Sequence, residues 1–149
     1  MKLINKISSS IISAMKEKNV DELESLRAIK SALLLAQTQK GSDGNIQESD
    51  EIKILQKLVK QRKESAEIYK KQSRLELANI EINQSRIIER FLPDQISTED
   101  LDKLITEIIN QTGAHGMKDM GKVMGIASSK LSGKADGKTI SNIVRLKLI

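Results

Sequence analysis

Cysteine and tryptophan are absent from the 149-residue sequence, and its only aromatic side chains are Tyr69 and Phe91. Without thiols there is no disulfide framework, no thiolate nucleophile and no sulfur-ligated metal, a composition that fits a reducing compartment and points to the cytoplasm. With so few aromatics the core must be filled by Ile, Leu, Val, Met and Ala, which favours interlocking helices over aromatic-rich strands. Histidine is as scarce. His115 stands alone in a glycine-rich stretch and reads as a solvated loop residue, so a His-rich metal site is excluded and a serine relay has no base. Long apolar runs are missing too, and nothing approaches the length of a membrane span. Met1–Met15 interrupts its apolar residues with Asn5 and Ser8–Ser10, unlike a secretory signal. The same segment places Leu3, Ile4, Ile7, Ile11 and Met15 on one helical face. It contains no Arg, which makes it a first core helix rather than an organelle-targeting segment.

What is present suits a folded, all-α chain, with 38% hydrophobic and 30% charged residues. Leu23, Leu26, Ile29, Ala32, Leu33 and Ala36 recur at spacings of three and four, predicting a helix over Val20–Gln39 that opens with an Asp21/Glu24 capping box. A Gly-Ser-Asp-Gly-Asn cluster from Gly41 then breaks the pattern. Ser49 is placed to cap a long helix with the stripe Ile52, Leu55, Val59, Ala66 and Tyr69, ending near Gln72. Leu75, Ala78, Ile82, Ile87, Ile88 and Phe91 carry a further helix to Leu92, although the Ile80/Ile82 alternation imitates a strand. Pro93, the only proline, ends it. A domain boundary is drawn there, giving an N-terminal multihelical domain over residues 1–93 and a small three-helix domain over 97–149. The second opens at a capping box, Ser97-Thr98-Glu99-Asp100, and shows the face Leu101, Leu104, Ile105, Ile108 and Ile109 up to Gly113. Two shorter helices follow, about Met117–Leu131 and Asp136–Leu148, with Asp136 placed as a cap.

Charge is distributed unevenly. Residues 1–113 hold 18 basic and 18 acidic side chains, whereas 114–149 hold 7 basic and 2 acidic, so the whole net charge of +5 lies in the tail. Six of the eight glycines also fall from Gly113 onward. Gly121 and Gly125 lie one helical turn apart and leave a smooth strip, which reads first as tight helix packing and alternatively as an approach surface for an RNA backbone. Gly133-Lys134-Ala135-Asp136-Gly137-Lys138-Thr139 imitates a phosphate loop, but three residues separate its glycines where four are needed, and a helix precedes it instead of a strand. Lys130, Lys134 and Lys138 nonetheless flank the amides that start the last helix, a combination able to hold a phosphate, or else three solvated lysines. Between Lys53 and Arg74 eight cations outnumber Glu64 and Glu67, either as a solvated face or as more RNA-binding surface. Ser128-Ser129-Lys130 superficially offers an amidase trio, yet consecutive helical residues diverge and cannot form a relay. Catalytic residues, a metal site and a cofactor are therefore not expected.

Met117-Lys118-Asp119-Met120-Gly121-Lys122-Val123-Met124-Gly125, followed by Lys130 and Gly133-Lys134-Ala135-Asp136-Gly137-Lys138, closely resembles the YqeY family and the related C-terminal domain of the B subunit of tRNA-dependent amidotransferases. Leu26-Arg27-Ala28-Ile29-Lys30-Ser31-Ala32, Lys60-Gln61-Arg62-Lys63-Glu64-Ser65 and Phe91-Leu92-Pro93-Asp94-Gln95 match further landmarks in the same order. The resemblance implies a helical N-terminal part followed by a three-helix domain. In the amidotransferase the related tail helps hold the tRNA while other parts perform kinase and amidase chemistry. A label such as glutamine-dependent carbon–nitrogen ligase would thus come by association alone. The expected partners are tRNA, amidotransferase subunits or another protein, with no membrane. Lys122, Lys130, Lys134, Lys138 and Arg145 are the candidate phosphate contacts, with Gly121 and Gly125 giving close approach. The competing reading is a protein-docking module whose acidic side chains Asp94, Glu99, Asp100, Asp102 and Glu107 meet a basic partner.

Overall fold

The computed structural model describes residues 2–39 and 45–149. Among them all regular structure is helical, and the chain divides into two compact units, Met1–Leu92 and Pro93–Ile149. Most of the glycine cluster that begins at Gly41 lies outside the described residues.

The first unit contains α1 (Leu3–Glu17), α2 (Val20–Gln39), α3 (Glu48–Lys71) and α4 (Leu75–Glu89). Its core unites Ile7 and Ala14 of α1 with Leu26, Ile29 and Leu33 of α2, Leu55 and Val59 of α3, and Ile88 of α4. The amphipathic start of the chain is thus a core helix. Its buried face runs to Ala14 rather than to Met15, which is 54% exposed; the 3.6-residue period carries the stripe past Met15 by the fourth turn. The α1–α2 turn is made by Lys18 at φ 56° and by Asn19, whose side chain accepts from the Glu22 backbone N–H at 3.2 Å. Asn19, not Asp21, therefore caps α2. Asp21 and Glu24 are drawn away into tertiary bonds: Asn83 donates to Asp21 at 2.9 Å and Gln84 donates to Glu24 at 3.0 Å. Likewise α3 begins at Glu48 after Gln47, with no side-chain cap from Ser49. The segment around Ile80 and Ile82 is helical, since Ala78, Gln84, Ser85, Ile87 and Ile88 are the buried positions of α4.

A polar seam specifies how α2, α3 and α4 meet. Gln84, 8% exposed, accepts from Arg62 Nε at 3.3 Å while its amide nitrogen serves Glu24. Arg62 also donates to the Leu58 carbonyl, and Arg90 pairs with Glu22. Every buried side-chain polar atom among the described residues has a partner, so the seam avoids the one to three kcal/mol that an orphaned group costs.

The second unit contains α5 (Thr98–Thr112), a 3₁₀ turn (Met117–Asp119), α6 (Met120–Lys130) and α7 (Gly137–Leu148). Ser97 caps α5 by accepting from Asp100 N–H, and Gly113 closes it at φ 67°, a conformation that glycine adopts without strain. Leu101, Ile105 and Ile108 pack with Val123, Ala127 and Leu131 of α6 and Ile140, Val144 and Leu148 of α7. Leu104 and Ile109 lie at the edge of this core.

Candidate nucleic-acid interface

Burying Val123 and Ala127 turns the opposite side of α6 outward, because positions three and four apart share a face. Gly121, Lys122, Gly125 and Ser129 occupy that outer side and are exposed. A Cβ built on Gly121 or Gly125 would meet nothing within 4 Å. Among the described residues of the second unit nothing packs against these glycines, which corrects the first reading of the strip as a tight helix-packing surface within that unit.

Lys138 and Arg145 are seven residues apart on α7, with Asn142 between them, on a face turned from Ile140, Val144 and Leu148. Lys130 ends α6 and Lys134 lies in the turn before α7. The five candidate cations are thus spread over two outward helix faces and the connecting turn. All are exposed, and none of their side chains forms an ion pair among the described residues, whereas Lys147 is taken by Asp102 at 3.0 Å. Such cations keep their full charge for an outside partner, at little desolvation cost.

At the start of α7 one amide, that of Lys138, is already taken by a side chain of the chain itself. The Asp136 carboxylate accepts from Lys138 N–H at 2.9 Å and from Thr139 Oγ1 at 3.3 Å. It places a negative charge at the helix start, which opposes a phosphate at the helix-terminus site expected from the Lys130, Lys134 and Lys138 cluster.

One positioning residue escaped the sequence. Gln95 donates to both the Pro93 carbonyl at 3.0 Å and the Gly133 carbonyl at 2.6 Å, while Ile96 N–H donates to the Lys134 carbonyl at 3.0 Å. These bonds tie the segment before α5 to the turn that carries Lys134. Gly133, buried with φ 76°, makes that turn. His115 is exposed, and its backbone N–H is held by Asp119 at 2.8 Å. Ser128, Ser129 and Lys130 are exposed neighbours on α6. No cluster of three or more metal-ligating side chains occurs, and no helix is long and apolar enough to cross a membrane, among the described residues.

The Yqey-like protein family profile matches residues 4–148. The chain belongs to the YqeY family. Over 57 residues it is 42% identical to the E subunit of glutamyl-tRNA(Gln) amidotransferase from Thermococcus gammatolerans, covering 36% of this chain and 9% of that protein. The counterpart from Thermococcus sibiricus is 40% identical over 57 residues, again covering 9% of its length. A longer match, 31% identity over 116 residues, covers 76% of this chain and 66% of the altered inheritance of mitochondria protein 41, mitochondrial, of Clavispora lusitaniae. The chain therefore spans about a tenth of the amidotransferase proteins and about two thirds of the mitochondrial relative.

Proposed function

We propose that this YqeY-family protein is a tRNA-binding accessory protein associated with amidotransferase, without a catalytic centre of its own. The observation that carries the reading is the surface of Pro93–Ile149: Lys122, Lys130, Lys134, Lys138 and Arg145 are exposed and unpaired, beside a glycine strip with nothing packed on it. Unpaired cations on outward faces suit sequence-independent contact with phosphates. The similarity to a protein named for glutamyl-tRNA(Gln) supports tRNA as the nucleic acid. In this reading residues 1–93 and 97–149 act as separate domains in the cytoplasm. The second holds RNA, and transamidation chemistry belongs to partner subunits.

The test is fluorescence anisotropy of labelled tRNA with the intact chain and with a variant carrying Gln at all five cations. The variant is expected to lose binding at moderate salt; binding at unchanged affinity would remove these residues from the interface. A second reading, docking to a basic protein, draws on the exposed Glu99, Asp100 and Glu107 of α5. It predicts partner capture that survives nuclease treatment and fails when the three acids are neutralised.

A further inference from the structure

The cations between Lys53 and Arg74 fall into two groups. Lys63 bonds Glu89 at 2.7 Å, Lys70 bonds Glu67 at 3.3 Å, Arg74 bonds Glu76 at 3.0 Å, and Arg62 is held by Gln84 and the Leu58 carbonyl. Lys53, Lys57, Lys60 and Lys71 are exposed and form no ion pair or side-chain hydrogen bond among the described residues. With 3.6 residues per turn, Lys53, Lys57 and Lys60 share the face of α3 opposite buried Leu55, Val59 and Ala66, and span about 10 Å of helix axis. Lys71 returns to the same face two turns beyond Glu64.

We propose that the Lys53, Lys57 and Lys60 face of α3 is a second RNA contact, a phosphate-backbone surface carried by the first unit; the proposal rests on the RNA-binding reading above. Lysine is depleted from the centres of protein–protein interfaces, where aromatic and apolar anchors dominate. None of the exposed large apolar side chains lies between Lys53 and Glu64. From Lys53 to Lys60 the face carries three lysines and no acid, with Glu64 following one turn later, and such a cationic stretch matches nucleic-acid surfaces instead. Tyr69 is half-buried and two turns or more from these lysines, so the face offers no platform for stacking unpaired bases. It therefore reads backbone rather than sequence. Double-helical nucleic acid presents a charge on the order of every 2 Å of its axis, so three lysines along one helix edge find phosphates without a fixed register.

The experiment uses the intact chain, a K53Q/K57Q/K60Q variant, a K6Q/K16Q/K30Q variant of equal net charge, and the tail variant with Gln at its five cations. Each is titrated with labelled tRNA, a short RNA duplex and polyglutamate over a range of KCl, with helicity checked by circular dichroism. Loss of the α3 lysines is expected to flatten the log–log salt slope by about 2 to 3. Affinity at 0.1 M salt should fall by up to about 100-fold, since each phosphate contact contributes about 0.7 to 0.9 to the slope. The equal-charge variant should change far less. Equal weakening by both variants, or an unchanged slope for the α3 variant, overturns the proposal. RNA binding retained with polyglutamate binding lost overturns it in favour of an acidic protein. If only the tail variant loses RNA, the α3 surface is refuted and the tail reading stands. If only the α3 variant does, the reverse holds. An intact chain that binds no RNA at low salt refutes both.

Discussion

Replacing Gly121 and Gly125 by alanine should stabilise the protein while weakening RNA binding. Both glycines lie inside α6 without a positive φ, and an added Cβ at either meets nothing within 4 Å. Alanine therefore brings its helix propensity with no steric penalty, about 0.8 to 1 kcal/mol at an interior position. Gly125 sits mid-helix and should give close to the full amount, whereas Gly121, in the first turn, should give about half. Together these make about 1.5 kcal/mol, which for a chain of this size raises Tm by about 3 to 6 °C. Two methyl groups on the outer face would at the same time hold an RNA backbone away from the helix. The assay pairs calorimetry with tRNA anisotropy on the single and double variants. A lower Tm would show that the glycines are packed and refute the open-strip geometry. A higher Tm with unchanged binding would remove the strip from the RNA interface.

Gln84→Met should cost about 1 to 3 kcal/mol in urea unfolding, because it strands Arg62 Nε and Glu24 at a seam where the amide serves both; a cost below about 0.5 kcal/mol would refute its bridging role. Asp136→Ala should cost about 1 kcal/mol through loss of the α7 cap. Asp136→Asn keeps the cap and removes a negative charge beside Lys134 and Lys138, so thermal melting should be unchanged and tRNA affinity increased. Burial, then the neighbouring Glu48, holds the Glu51 carboxyl above its ordinary value, against the smaller opposing pull of Lys2 and Lys6. The folded state thus binds the proton more readily than the unfolded chain, and stability falls as pH rises through the folded pKa. Glu51→Gln should raise Tm at pH 7 and flatten the pH–Tm profile just above the usual carboxylate range; an unchanged profile would refute the burial argument.

Helix extents were legible where the signal was local. The spacing of Leu26, Ile29 and Leu33 marks α2, Ser97 and Gly113 bracket α5, and Asp136 caps α7, because each of these depends on neighbours within a turn or two. Sequence misled where a residue had two possible partners. Asp21 and Glu24 match a capping box but bond Asn83 and Gln84, about 60 positions away, while Asn19 provides the cap. Asp136 illustrates the opposite case, since a correctly placed cap takes the Lys138 amide and sets a carboxylate against the phosphate site that its lysine neighbours suggest. The Gln95 bond to Gly133 crosses 38 positions and leaves no periodic trace. Cation composition was legible, but ion pairing was not, so only the structure separates Lys53, Lys57 and Lys60 from the neutralised Lys63 and Lys70.

The proposal that this chain holds tRNA through phosphates is tested most directly by a KCl titration of tRNA binding to the intact protein. Five tail cations predict saturable binding at low salt with a log–log slope of about −3.5 or steeper. The lysines of α3 would steepen it further. No saturable binding at 50 mM KCl, or a slope near zero, would contradict phosphate-mediated tRNA binding.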